Sequence, residues 1–126
     1  MIDSDVRATI AAIALAHATD KAISGLFDHS QNRLAKVTAV FDGPAFDGLD
    51  LARRAKLSGT LPDIYDHGRS GYIHLSPTGD RYTVYDHKSG THAYVVVAGE
   101  TASLYDHDAA TWSQYSLKPV EGLAAF

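Results

Sequence analysis

Apolar residues run almost without a break from Val6 to Ala16, alternate with polar ones through most of Tyr72 to Leu117, and recur more loosely between. The first pattern predicts a helix, capped by Asp3 or Ser4, running through Val6, Ile10, Ile13, Leu15 and Ile23 and ending near Gly25. Its many alanines present a smooth surface that a sheet can approach closely. Lys36 to Phe41 alternates well enough to predict a strand. Asp42-Gly43-Pro44 then interrupts the chain, and Pro44 suits the first turn of a second helix carrying Phe46, Leu49, Ala52, Arg53 and Leu57 and stopping at Ser58-Gly59. On that helix Arg53, Arg54 and Lys56 form a solvated side, with an anion site as the alternative. From Leu61 to Leu117 the alternation predicts an antiparallel meander of about five or six strands.

The meander is repetitive. Tyr65-Asp66-His67, Tyr85-Asp86-His87 and Tyr105-Asp106-His107 stand twenty residues apart, with Gly59, Gly79 and Gly99 six residues before each tyrosine and Ile64, Val84 and Leu104 just before it. A unit of that length holds two strands and two turns but no strand-helix-strand crossover, so each repeat reads as a β-hairpin. Asp86 can cap its own loop and Gly90 can take positive φ. The third copy departs, since no glycine follows its turn. Phe27-Asp28-His29 and Phe46-Asp47-Gly48, at intervals of nineteen, are a weaker upstream echo.

Turn lengths set register, and register decides which side chains share a face. Pairing Asp86 with Thr91 sets Tyr85 opposite His92, Val84 opposite Ala93, Thr83 opposite Tyr94 and Tyr82 opposite Val95. A two-residue turn at Gly99-Glu100 sets Val95 opposite Leu104 and Tyr94 opposite Tyr105. A four-residue loop from Pro77 to Asp80 sets Leu75 opposite Tyr82 and Tyr72 opposite Tyr85, and the last hairpin sets Trp112 opposite Tyr105. One face then collects Ile73, Leu75, Tyr82, Val84, Ala93, Val95, Val97, Ala102, Leu104, Tyr115 and Leu117, for the N-terminal helix to cover. The other collects Tyr72, His74, Thr83, Tyr85, His92, Tyr94, Val96, Ser103, Tyr105, Trp112 and Gln114.

A water-washed face would carry Lys, Glu and Thr; tyrosines, a tryptophan and histidines in adjoining positions suit a stacking or interface surface. Tyr72, Tyr85, His92, Tyr94, Tyr105 and Trp112 are therefore the candidate ligand or interface residues. Three uses are open: a face covered by the segment from residue 27 to residue 57, a homodimer contact, or a site for a small uncharged ligand that stacks on aromatics. A His general base, His74 or His92, oriented by Asp86 or Asp106 in a cleft over this face, is the enzymatic alternative. A metal held by His67, His87 and His107 is disfavoured, because equivalent residues in successive hairpins lie about 10 Å apart while ligands of one ion converge within about 2 Å of it. The aspartates read as turn formers, and no metal or cofactor is expected.

Composition narrows this picture. With no cysteine among 126 residues, disulfides, a thiolate nucleophile and cysteine-ligated metals are excluded. Eleven basic against fifteen acidic residues give a net charge of −4, spread without long runs, so nucleic acid and anionic membranes are not expected partners. Asp3 and Asp5 stand where a secretory leader would be basic. A cytoplasmic setting fits these features.

The pattern Gly-x5-Tyr-Asp-x-x-x-Gly, clearest from Gly79 to Gly90, resembles the YD repeats of large bacterial Rhs-type shells, and in length and aromatic content is similar to the hairpin repeats of choline-binding modules. The resemblance covers Gly59 to about Leu117 and implies hairpin architecture only. Rhs-type chains carry many copies and choline-binding repeats use paired tryptophans, whereas this chain has three copies and Trp112 alone. The expectation is a single α+β domain over residues 1–126. A helical or mixed segment (1–60) packs on hairpin repeats (61–117), followed by a tail (118–126) in which Leu123 and Phe126 suggest docking. The expected function is non-enzymatic binding or assembly through the aromatic, histidine-rich face.

Overall fold

The computed structural model describes residues 1–117; the tail from Lys118 to Phe126 lies outside them. One helix, α1 (Ser4–Thr19), precedes ten strands: β1 (Ile23–Asp28), β2 (Arg33–Asp42), β3 (Ala45–Asp50), β4 (Ala55–Thr60), β5 (Asp63–Asp66), β6 (Gly71–Thr78), β7 (Arg81–Asp86), β8 (Thr91–Ala98), β9 (Thr101–Asp106) and β10 (Thr111–Leu117). Each strand pairs antiparallel with the next, and β10 returns to β1 through Leu26↔Leu117, Phe27↔Ser116 and Asp28↔Tyr115, closing a barrel.

This overturns the expected open α+β meander of five or six strands. The predicted second helix is instead two strands, β3 and β4, joined by the turn Leu51–Arg54. Helix spacing of Phe46, Leu49, Ala52 and Leu57 was accidental; Phe46, Gly48 and Asp50 alternate inward, as do Ala55 and Leu57. Gly48 is accommodated because the Phe46 ring lies over it, where a Cβ would stand 2.7 Å from Phe46 Cζ and from the Thr38 carbonyl oxygen. The first helix stops at Thr19, with Asp20 left-handed at its end, and Ile23 begins β1.

Nor does α1 simply lie against one face. Every residue from Ala8 to Ala16 is buried, polar Thr9 included. A helix that is apolar all round belongs inside a structure, and this one fills the barrel lumen. It runs nearest β1, β2, β8, β9 and β10. Small residues line much of that side (Ala39, Ala93, Ala102), while the distant strands β4 to β6 bring in Leu57, Ile64, Ile73 and Leu75 to fill the remaining space. Helix alanines and wall leucines thus share one core. Among the described residues no helix is long and apolar enough to cross a membrane.

Register agrees with most of the sequence-derived pairing: Tyr85↔His92, Thr83↔Tyr94, Tyr94↔Tyr105, Val95↔Leu104 and Trp112↔Tyr105 all occur. The exception is the hairpin at Gly79-Asp80, which closes in two residues, not four, so Leu75 faces Val84 and His74, not Tyr72, faces Tyr85; Tyr72 pairs on its other side with Tyr65 of β5. A shift of two leaves every side chain on its own face, so the inward and outward sets stand. Residues 27–57 are barrel wall, and they do not cover the aromatic surface.

Candidate functional site: an aspartate ring and an aromatic belt

Five aspartates end the five odd-numbered strands at one mouth of the barrel: Asp28, Asp50, Asp66, Asp86 and Asp106, each at most 1% exposed. Their turns share one construction. Asp28 Oδ1 accepts the N–H groups of Ser30 and Gln31, Asp50 those of Ala52 and Arg53, Asp66 that of Gly68, and Asp106 those of Asp108 and Ala109, at 2.9–3.4 Å. Asn32, Arg54, Ser70, Gly90 and Ala110 close the turns with positive φ. The residue after each aspartate then donates its N–H to the preceding hairpin: His29 to Gln114, Leu51 to Lys36, His67 to Lys56, His87 to Tyr72 and His107 to His92. The unit is therefore repeated five times. Asp28 is the copy suggested by the upstream echo, whereas the other upstream copy is Asp50 and not Asp47, which points outward. Uneven strand lengths, ten residues in β2 and four in β5, hide that copy from a fixed period.

Five buried carboxylates need compensation. Arg53 Nε lies 2.6 Å from Asp50 Oδ2 and its Nη1 lies 3.1 Å from Asp66 Oδ2. Arg69 Nε lies 3.0 Å from Asp66 Oδ2 while Nη2 and Nη1 grip both oxygens of Asp86. Each arginine stands three residues after one aspartate and links it to the next. Arg53, expected on a solvated helix side, is thus largely buried. From inside, Arg7 of α1 reaches Asp106 at 2.8 Å and Ser113 Oγ at 3.2 Å, the Ile2 N–H donates to Asp106 at 2.9 Å, and the Thr9 hydroxyl donates to Asp50 at 3.3 Å. The N-terminus of α1, the positive end of its dipole, opens at this mouth.

Burial would push the Asp86 carboxyl up, but the Arg69 fork, the Ser89 hydroxyl and the Lys88 N–H outweigh it and hold it below the usual carboxylate range. For Asp106 burial is likewise outweighed, by the Ala109 and Ile2 N–H groups and by Arg7. On the wall side, buried Tyr115 is pushed far up by desolvation and by the nearby Asp28 charge. The ring is a clasp for helix and turns. Among the described residues no group of three His, Asp or Glu is placed to hold a metal ion.

The tyrosine before each of the three C-terminal aspartates points outward, away from the clasp. Tyr65 meets Tyr72 edge to face at 4.9 Å, Tyr85 lies 4.6 Å from His92, and Tyr105 lies 5.1 Å from Trp112. Tyr94 stands 5.6 Å from Tyr105 and 5.5 Å from Trp112, with the Arg81 guanidinium 4.3 Å from its ring centre. His67, His87 and His107 each pack on the tyrosine of their own triplet, at 4.8, 4.7 and 5.1 Å. The predicted set Tyr72, Tyr85, His92, Tyr94, Tyr105 and Trp112 thus lies on one side of the wall, as local clusters and not one continuous pocket. Tyr72 and Trp112 stay 51% and 53% exposed.

Comparison with protein-family models, with curated proteins and with solved structures gives no match.

Of the two histidines considered as bases, His92 packs against Tyr85, while His74 Nδ1 lies 3.0 Å from Asp63 Oδ1 with both groups open to solvent. Neither is near Asp86 or Asp106 in function, since those carboxylates face inward and are already occupied by the clasp. The clasp arginines, Arg7, Arg53 and Arg69, were not legible as a set. The one available signal was that Arg53 and Arg69 both fall three residues after a buried aspartate.

Proposed function

We propose that this chain is a non-enzymatic binding or assembly domain whose working surface is the aromatic, histidine-rich outer wall around Tyr94, Tyr105 and Trp112. The observation that carries the reading is Trp112: it stands more than half exposed between two tyrosines on a wall that has no need of it for packing. The lumen is taken by α1 and the inward side chains, so binding has to use the outside. Amphipathic rings that combine apolar area with a polar tip are what interface centres use.

The test joins light scattering over a range of protein concentration, on the wild type, Tyr94→Ala and Trp112→Ala, with titration of Trp112 fluorescence by stacking ligands on the wild type and Tyr94→Ala. Loss of association or of ligand response in the variants, at unchanged circular dichroism, supports the reading. Association unchanged in both variants, together with a fluorescence titration that shows no ligand response or one unchanged by Tyr94→Ala, sinks it.

The enzymatic alternative draws on the His74–Asp63 pair. Both groups are exposed, the imidazole 41% and the carboxylate 55%, and water at such a site weakens the electrostatic advantage that catalysis draws on. His74→Ala with full retention of any activity found would dispose of it.

A further inference from the structure

Beside Trp112 the outer wall forms a depression of about 600 Å³, bordered by His29, Ser30, Val96, Ser103, Trp112 and Gln114. It spans the seam where β1 and β10 close the barrel, and so exists only in the closed form. The border combines one broad aromatic surface with hydroxyl, amide and imidazole groups, and carries no Lys, Arg, Asp or Glu. His29 is held in place, its Nε2 2.8 Å from Ser116 Oγ and its ring 4.9 Å from Phe27. Ser30 Oγ accepts the Gln114 N–H at 3.2 Å, which fixes the first turn against β10. Among the described residues no hydrogen bond occupies the side-chain amide of Gln114 or the hydroxyl of Ser103, so a donor-acceptor pair remains available beside the indole.

Charge decides between ligand classes. An anionic ligand finds no Lys or Arg in the border. A cationic ligand finds no Asp or Glu in the border, and the neighbouring Tyr94 ring face that could receive a cation is already taken by the Arg81 guanidinium. A flat aromatic ligand would gain from the indole but leave polar groups on the other sides unpaired, at a cost. What fits all sides is a neutral ring with an apolar face and a rim of hydroxyls. Resting on the proposed binding role of this surface, we infer that the depression is a carbohydrate site. It takes a neutral saccharide, whose ring stacks on Trp112 while its hydroxyls bond to Gln114, Ser103 and His29.

Trp112 is the chain's sole tryptophan, so its emission reports on this site alone. The experiment applies the wild type, Trp112→Ala and Gln114→Ala to an array of neutral, sialylated and sulfated glycans, and then titrates the Trp112 emission of the wild type with the best binder and with choline. The expected result is binding to neutral glycans with a change in emission, about tenfold weaker in Gln114→Ala and lost in Trp112→Ala, corresponding to about 1.4 kcal/mol or more per contact. Binding confined to charged glycans, a response to choline alone, binding unchanged by Trp112→Ala, or no glycan bound at all overturns the inference. Failure of this site is separable from failure of the wider reading. If no glycan binds but Trp112→Ala still abolishes self-association, the saccharide falls and the assembly role stands.

Discussion

Arg69 grips Asp86 with a two-point fork, Nη1 to Oδ2 at 3.0 Å and Nη2 to Oδ1 at 2.9 Å, while its Nε holds Asp66 of its own turn. One side chain thereby ties two successive hairpins at the mouth of the barrel, and Arg53 repeats the arrangement one hairpin earlier.

Breaking one end of a buried pair strands the other, so Asp86→Ala is expected to destabilise the fold by about 3 kcal/mol or more. Arg69→Met, which retains much of the aliphatic packing, leaves two carboxylates short of a partner and should cost a similar amount. Urea unfolding of both variants measures this. A loss under 1 kcal/mol in both would mean that water, and not Arg69, compensates the charge.

Acid should act through the same ring. Asp86 and Asp106 have folded-state pKa values below their ordinary ones. Their contribution is therefore complete above the unfolded value, about 4, and is lost as pH falls toward the folded values. Stability measured by urea midpoint should decline as pH falls below about 4. Asp86→Asn, less stable at pH 7, should show a shallower decline, and parallel curves for the two proteins would contradict the assignment.

Ala110 closes the fifth turn at φ 54°, a region that disfavours any side chain, and Gly90 occupies the same place in the fourth turn. Ala110→Gly relieves about 1 kcal/mol of that strain, and the relief should exceed the added chain entropy enough to raise the melting temperature by a few degrees. An unchanged or lower melting temperature would show that this turn has no strain to release.

Ala12 is fully buried in the part of α1 that passes through the lumen. Ala12→Leu inserts three carbon atoms into a closed wall that cannot swing aside, and should cost about 1–3 kcal/mol through overpacking. In a helix lying on an open sheet the same change would be easily absorbed, so the size of the loss tests enclosure. Calorimetry of the variant gives the number.

Much of this was legible along the chain. The triplet Tyr-Asp-His announced the hairpin unit, and Tyr85, Tyr94, Tyr105 and Trp112 were assigned outward, next to the neighbours they have except that His74 and not Tyr72 stands opposite Tyr85, because turn length and a period of two are local quantities. The miscounted turn at Gly79-Asp80 did no harm to the faces for the same reason. The region from Ala45 to Thr60 misled, because Phe46, Leu49 and Leu57 match helical spacing while Gly48 obscures the alternation, and intrinsic pattern yields to pairing with β2 and β5.

Closure belongs to the tertiary structure alone. Whether ten antiparallel strands remain open or join β1 to β10 depends on twist summed over every strand and on what fills the middle, and no short stretch of sequence contains either quantity. Once closed, the lumen needs a rod of small apolar residues, which α1 supplies, and the mouth needs hydrogen-bond donors, arginines among them, placed to meet five inward carboxylates. The repeat, the turns and the two faces were thus determined by neighbours along the chain. The enclosure of α1, the linking of Asp106 to Arg7 and the depression at the seam beside Trp112 were decided by contacts between its distant parts.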